Sequence, residues 1–391
     1  MLISVREIRG KFNAWLCIRI LLMKITVLAE NLKRGLGIVN RGISSRPQLS
    51  VLSGVLIKAS SEGLFLVSTD LEMSFWLKMG AKVIEEGEIV MPAKLLTELV
   101  LTLPAGPVEM NTDKQTLKIV CDGVKAEIMG QVADDFPVIP RLKKAQVLLN
   151  SGEFREKVDK VSISAAKDDT RPILTGVLWD FAADGVSMVA TDGYRLSIDK
   201  LGLSKTSSSW EGRVILPAKS LTEVARTLAD TGEDKFEVEF DKENQQVIFG
   251  LNEVEIASRL IAGEFPPYQQ ILPNTYKTKA EFSRDSLLDA VKRAKLFARE
   301  NANIVKLVLE DNKLKITAES SQLGNNSTEI DTEKEGDDIS VAFNAQYLLD
   351  YLSICTDDKI TWETEGELKP SVFKTSDENW LQVVMPVRVQ G

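Results

Sequence analysis

Short runs in which apolar residues alternate with polar ones dominate this chain. Leu64-Phe65-Leu66-Val67-Ser68, Lys82-Val83-Ile84, Leu117-Lys118-Ile119-Val120 and Val124-Lys125-Ala126-Glu127-Ile128 have the strand period, with Gly, Asp or Asn turns between them. A slower period interrupts these runs. From Gly152 to Ala166, Phe154, Val158, Val161 and Ala165 recur at helical spacing, which predicts an amphipathic helix. Leu28, Leu32, Leu36 and Val39 predict another near the start, and Leu287, Leu288, Val291 and Ala294 a third. Further helices follow Pro92-Ala93-Lys94 and Pro217-Ala218-Lys219, with Pro in the first turn, where its missing N–H costs nothing. Many short strands accompanied by pairs of helices predict an α+β fold, with helices packed on one face of antiparallel sheet.

The pattern repeats. Arg46-Pro47, Gly54-Val55-Leu56, Ser68-Thr69-Asp70 and Met91-Pro92-Ala93-Lys94 return as Arg171-Pro172, Gly176-Val177-Leu178, Ala190-Thr191-Asp192 and Leu216-Pro217-Ala218-Lys219. The interval of about 125 residues is the size of a whole domain, not of a solenoid unit. A fainter third copy has Val305–Leu309 and Leu314–Ala318 as strands, then Phe343-Asn344-Ala345-Gln346-Tyr347-Leu348-Leu349-Asp350 in place of the Pro-Ala-Lys segment. The expected division is an extension over 1–22 and three domains over 23–145, 146–273 and 274–391. Met23-Lys24-Ile25-Thr26-Val27 reads as the natural start of the first domain. Arg19 and Lys24 break the apolar stretch of the extension, which argues against a signal peptide and a membrane span.

At 44% hydrophobic and 27% charged residues, the chain can bury proper cores. Cys17, Cys121 and Cys355 are odd in number, far apart and in no metal-ligand spacing, so a reduced, cytoplasmic protein without disulfides or metal is expected. Catalysis has little support. The chain has no histidine, which removes the usual general base, and no Gly-rich phosphate loop, so neither an enzyme nor a cofactor is indicated. Asp70 and Asp192 each follow Thr after a strand run and read as turn residues.

The net charge is −9, yet basic residues recur on the leading helix of each repeat. They are Lys33, Arg34 and Arg41 in the first, Lys157, Lys160 and Lys167 with Ser164 in the second, and Lys292, Arg293, Lys295 and Arg299 in the third. A net-acidic protein binds nucleic acid only by gathering positive charge on one surface, and screening limits the influence of acids beyond about 10 Å. No motif for reading bases occurs, so contact with phosphates alone is implied.

Several motifs in order identify a family. Thr191-Asp192-Gly193-Tyr194-Arg195-Leu196, Gly263-Glu264-Phe265-Pro266-Pro267-Tyr268, Phe343–Asp350 and the ending Val383-Val384-Met385-Pro386-Val387-Arg388-Val389 resemble the bacterial sliding clamps, the beta subunits of DNA polymerase III. The resemblance spans Met23 to Val389. It implies three similarly folded domains per chain and two chains per ring, with helices lining the hole and sheets forming the outer wall. It implies a non-catalytic processivity factor that encircles double-stranded DNA without regard to sequence. By position or face, the implied DNA contacts are Arg46, Lys94, Arg171, Lys219, Lys292, Lys295 and Arg299, although Arg46 and Arg171, each before Pro, also suit capping or interface roles.

The resemblance further implies a homodimer closed head to tail, with Ala126 and Ile128 meeting Leu296 and Phe297. It implies a pocket for short peptides of the replicative polymerase alpha subunit, the clamp loader and other replication and repair proteins. That pocket would comprise Leu174, Thr191, Gly193, Tyr194, Arg195, Leu196, Pro266, Ile271, Val383, Val384, Met385, Pro386, Val387 and Arg388. Aliphatic and Met side chains adapt to differing peptides, and Arg and Thr at the rim would fix the peptide backbone. Tyr194 stands where the family often has His, Gln270 where a basic residue is frequent, and Ala126 where a larger apolar residue is common. The competing reading is a non-catalytic interaction scaffold of duplicated α+β domains.

Overall fold

The computed structural model describes residues 22–44, 47, 49–182, 185–203 and 210–388. The first repeat runs β1 (Lys24–Leu28), α1 (Ala29–Val39), β2 (Gly54–Ser60), β3 (Gly63–Thr69), β4 (Met73–Met79), β5 (Lys82–Glu85), β6 (Gly87–Pro92), α2 (Ala93–Thr102), β7 (Pro107–Asp113), β8 (Thr116–Cys121) and β9 (Val124–Met129). The second runs β10 (Val147–Asn150), α3 (Ser151–Ser162), β11 (Gly176–Ala182), β12 (Gly185–Thr191), β13 (Arg195–Leu201), β14 (Gly212–Pro217), α4 (Ala218–Thr231), β15 (Lys235–Asp241), β16 (Gln246–Leu251) and β17 (Val254–Arg259). The third runs β18 (Thr278–Ser283), α5 (Arg284–Ala298), β19 (Ile304–Glu310), β20 (Lys313–Ser320), β21 (Gly324–Gly336), β22 (Ile339–Asn344), α6 (Ala345–Ile354), β23 (Lys359–Thr364), β24 (Ser371–Lys374) and β25 (Leu381–Val384).

Each repeat is therefore a strand, a helix and a run of antiparallel strands, twice over. Register ties the faint third copy to the others. Gly54 pairs with Pro92, Gly176 with Pro217 and Ile304 with Asn344, so the residue before α2, α4 and α6 occupies one equivalent position. Asn344 does there what Pro does not: its side chain accepts the Gln346 N–H at 2.9 Å and caps the helix.

Three boundaries differ from the sequence reading. The helix expected to reach Ala166 stops at Ser162, because Ser164 N–H turns back to Val161 O and Ala165 N–H to Ser162 O, while Ala165 stays buried. Pro92 closes β6 and stands at the N-cap, one residue ahead of the first helical turn. Leu28 ends β1 half-exposed instead of joining the buried face of α1, which is Ala29, Leu32, Gly35, Leu36, Ile38 and Val39. Gly35 lets α1 lie close to its sheet, since a Cβ there would stand 2.2 Å from Met79 Cε and 3.1 Å from Leu66 Cδ1.

The chain forms two compact units, one running to Leu148 with Arg226–Arg259, the other Leu149–Ala225 with the chain from Leu260 on. The first holds a five-stranded sheet, β5-β1-β7-β8-β9, and an eight-stranded sheet, β10-β15-β16-β17-β4-β3-β2-β6. The second holds a twelve-stranded sheet, β14-β11-β12-β13-β25-β24-β23-β18-β21-β20-β19-β22. Sheets thus run continuously from one repeat into the next, through β4–β17 and through β13–β25. The third repeat's core is rich in aromatic rings: Phe343, Tyr351, Trp362, Phe373 and Trp380 are all almost fully buried, with Trp362 and Phe373 stacked 6.3 Å apart. Truncating any one to Ala would cost about 3–5 kcal/mol.

Candidate functional site

The Thr-Asp motif builds a turn. Asp192 Oδ1 accepts the N–H groups of Tyr194 at 2.9 Å and Arg195 at 3.0 Å. Thr191 Oγ1 accepts Gly193 N–H at 3.0 Å and donates to Arg195 O at 2.7 Å. Asp70 and Thr69 make the same four bonds, to Glu72, Met73, Leu71 and Met73 O. Gly193 has φ +92°, a conformation Gly adopts without strain; its counterpart Leu71 holds φ 76°. In the third repeat Ser320 Oγ takes the N–H groups of Gln322 and Leu323. Asp70 and Asp192 are thus engaged in backbone geometry.

Beyond that turn, β13 runs beside β25 with Arg195 opposite Val384, Leu196 opposite Val383, Ser197 opposite Gln382 and Ile198 opposite Leu381. Alternation sends every second pair to one face. There Leu196 and Val383 join Leu178, Val189, Ile215, Tyr268 and Val372 in one apolar cluster. Ile173, Ile198, Ile261, Phe265, Leu272 and Leu381 pack round it half-buried. Tyr268 N–H bonds to Pro266 O at 2.7 Å, and Ile271, next in sequence to the cluster residue Leu272, is exposed. Tyr194 is 60% exposed, and its carbonyl accepts Met385 N–H at 2.8 Å. Met385, Pro386 and Val387 are half-buried, Arg388 is exposed, and Val387 N–H is held by Ala342 O. The result is a partly open apolar floor with a tyrosine beside it.

Four residues expected in the pocket are placed differently. Arg195 is not at a rim. It is 5% exposed, its Nη1 bonds Asp350 Oδ2 at 2.6 Å, its Nε bonds Asp192 Oδ2 at 3.1 Å, and it lies 4.5 Å from the centre of the Tyr347 ring. Thr191 is likewise buried, with its hydroxyl committed to the turn. Val384 points the other way, into the third repeat's core, and Leu174 is buried in the short turn Pro172–Thr175 while its neighbour Ile173 joins the cluster.

The basic helix faces divide sharply. Lys157 and Lys160, expected on an outer face, are each 8% exposed. Lys157 Nζ lies 3.1 Å from Asp199 Oδ1 and 2.9 Å from Asp377 Oδ2; Lys160 Nζ lies 2.9 Å from Asp377 Oδ2 and 2.6 Å from Glu156 Oε1. Burial opposes the charge on Lys157, but the hydrogen bonds it donates to Asp377 and Asp199, with the attraction of both carboxylates, outweigh it and hold the ammonium above its usual range. Burial would raise the Asp377 carboxyl too, yet the two lysines keep it well below. Asp199, wholly buried, is pushed upward by desolvation.

In the first repeat Lys33 bonds Leu103 O at 2.8 Å, Arg34 pairs with Glu253 at 2.7 Å, and Arg41 pairs with Asp230 and donates to Thr227. On α5, in contrast, Lys292, Arg293 and Arg299 are exposed, while Lys295 is half-buried and donates to Gln346. Lys94 and Lys219 are exposed at the starts of α2 and α4. Arg171 donates from Nη2 to Asp192 O at 3.0 Å and packs against Gly193, so it supports the pocket turn. Arg46 lies outside the described residues. Of the implied DNA contacts among the described residues, Lys94, Lys219, Lys292 and Arg299 are exposed, with Arg293 exposed beside Lys292.

Among the sheet edges of the described residues, two correspond to the interface implied by the sequence. β9 ends the five-stranded sheet and pairs only with β8 among the described residues. Its Ile128 is 4% exposed, already inside its own domain, and Ala126 is half-buried on the same face. Residues 324–331 of β21 pair with β20 on one side alone among the described residues. Leu296 is 53% exposed and Phe297 is half-buried against the core.

Family models match the chain in order: the DNA polymerase III beta subunit N-terminal domain over 23–140, central domain over 148–267 and C-terminal domain over 269–388. The chain belongs to the DNA polymerase III beta subunit family. It is 30% identical to the beta sliding clamp of Streptomyces coelicolor, covering 94% of this chain and 100% of that protein. The sliding clamp of Bacillus subtilis superposes with a TM-score of 0.88 at 27% identity, covering 94% and 100% of the two chains. A Pseudomonas aeruginosa clamp bound to griselimycin superposes at 0.86 with 26% identity and the same coverage.

For a beta subunit, sequence reasoning left out several pocket candidates: Ile173, Leu178, Ile198, Tyr268, Val372 and Leu381. Their signal was the two-residue period, since Leu196 with Ile198 and Leu381 with Val383 share a face once β13 and β25 are paired. It also passed over Leu95 and Leu101, 51% and 60% exposed on α2, which break that helix's otherwise apolar-in pattern.

Proposed function

We propose that this chain is a non-catalytic DNA sliding clamp, in which two copies close a ring around duplex DNA and tether the replicative polymerase through the β13–β25 pocket. The observation that carries the reading is the pair of open edges. Inside the chain each repeat joins the next by the strand after a Thr-Asp turn pairing with a repeat's last strand, Ser74 opposite Ala257 and Leu196 opposite Val383. β21 is the third strand of the first kind and β9 the third of the second. Asn325, paired with Glu319 as Ser74 is with Thr69, stands where Ser74 and Leu196 stand. Carrying the register across puts Asn325 of one copy opposite Glu127 of the other, Gly324 opposite Ile128 and Asn326 opposite Ala126. A head-to-tail contact that closes after two copies gives a finite ring.

In that ring backbone hydrogen bonds join the sheets, so Ile128 serves by shaping β9, and the exposed Leu296 with Phe297 meets Leu95 and Leu101 of the partner. Lys94, Lys219, Lys292, Arg293 and Arg299 neutralise phosphates without reading bases. The clamp loader opens the ring, and other replication and repair proteins share the pocket in the cytoplasm. No helix among the described residues is long and apolar enough to cross a membrane. The test is primer extension on a primed circular template with polymerase, clamp loader and ATP. Addition of this protein lengthens the product of a single binding event; unchanged product length overturns the reading.

A further inference from the structure

Behind the β13–β25 seam lies a buried polar assembly that the docking pocket does not use. Ser197 and Gln382, opposite each other in the seam, face away from Leu196 and Val383 and towards α3. Ser197 Oγ donates to Lys160 O at 2.8 Å and accepts Trp380 Nε1–H at 3.1 Å. Gln382 Nε2 donates to Ser164 Oγ at 3.1 Å. Lys160 Nζ stands 4.9 Å from the centre of the Trp380 ring, and Asp377, on the loop leading into β25, takes both Lys157 and Lys160. Lys157 also reaches Asp199 on β13. One helix thus holds β13 through Asp199 and Ser197, and holds the entry to β25 through Asp377 and Trp380.

The seam itself is only four residue pairs long. Two strands joined over so short a length are free to shear or fray unless packing prevents it. The pocket needs them fixed, because Leu196 comes from one strand and Val383 with Met385 from the other. We propose that Lys157, Asp377 and Ser197 are positioning residues for partner docking: they clamp β13 to β25 from the rear face and so set the spacing of the two halves of the pocket on the front. None of them lies in the apolar cluster that a peptide would cover. A residue acting this way alters affinity through the shape of the free site, so its loss is read in docking as well as in stability.

The inference rests on the docking reading, and the test separates the two. A fluorescent clamp-binding peptide of the replicative polymerase alpha subunit, and griselimycin as a second probe, are titrated against the full chain and variants. Leu196→Ala serves as the front-face control. The expected result is that Asp377→Asn and Lys157→Met each weaken binding at least about tenfold, with faster amide exchange at 381–384, and that Lys157→Arg restores both. Ser197→Ala, which removes no charge, covers the case in which a charge variant fails to fold, and is expected to give the same change to a smaller extent. If Leu196→Ala weakens binding while all rear-face variants bind normally, the positioning role is overturned. If Leu196→Ala also leaves both probes unaffected, the docking site itself is wrong and the positioning role falls with it.

Discussion

Arg195→Ala distinguishes a residue that builds the pocket from one that grips a ligand. In the native chain the guanidinium sits between two carboxylates and over Tyr347, with 4% of its side chain exposed. Removing it strands Asp192 and Asp350, whose side chains are 16% and 19% exposed. Breaking a buried pair typically costs about 3–5 kcal/mol, and the residual water access of both carboxylates places this case near 3 kcal/mol. That loss corresponds to about a hundredfold rise in local opening. Amide exchange across Tyr194–Ile198 reads it directly, because local opening is resolved there even though a chain of several domains has no single unfolding free energy. Exchange should accelerate about a hundredfold, and affinity for the alpha-subunit peptide should fall because Tyr194 and Leu196 lose their placement. Arg195→Lys keeps the charge but not the fork that meets two partners, and is expected to fall between. A full loss of affinity with unchanged exchange would refute this reasoning and return Arg195 to direct ligand contact.

Glu127→Pro removes an N–H from the open edge of β9, because Ile119 opposite Ala126 and Gln115 opposite Gly130 turn the even-numbered N–H groups towards β8, and should convert the dimer to monomer in sedimentation velocity without unfolding it; an intact dimer would exclude edge pairing there. Exchanging Lys292, Arg293 and Arg299 for Ala should lower the salt slope of DNA binding by up to about 0.9 for each phosphate that is no longer neutralised, whereas Lys33→Ala should leave that slope unchanged. Stability has a sign-defined pH dependence at the buried cluster. Lys157 is held above its usual 10.5 by its aspartates despite burial, so its contribution is complete below 10.5 and disappears as pH rises through the folded value. Asp377 is held below its usual 3.8, so its contribution is complete above 3.8 and disappears as pH falls through the folded value. Thermal melts of wild type and Lys157→Met should therefore converge above pH 10.5, and those of wild type and Asp377→Asn below pH 3.8; parallel curves would remove the ion cluster from the stability account.

The class of fold was legible because periodicity and the Thr-Asp and Pro-Ala-Lys segments are local. Thr191 and Asp192 make their bonds within four residues, so the turn could be read from the chain alone. The inner division of each repeat was not legible, since its halves share an order of elements and no residue motif. The sequence also misjudged Lys157 and Lys160. Their partners Asp199 and Asp377 are far along the chain, and a helix face opposite an apolar stripe looks solvated until another segment covers it. The same limit applies to Arg34 and Arg41, neutralised by Glu253 and Asp230. On the leading helix of the third repeat Lys292, Arg293 and Arg299 are exposed, and the ion pair that Lys292 makes among the described residues is with Asp289, 3.8 Å away on its own helix.

Encirclement is the central claim, and topology tests it more directly than affinity does. The protein is loaded onto nicked circular DNA with clamp loader and ATP, the complex is washed at high salt, and half is linearised. A closed ring remains on the circle, where phosphate attraction is screened away, and slides off the linear ends. Equal release from circular and linear DNA would contradict the account.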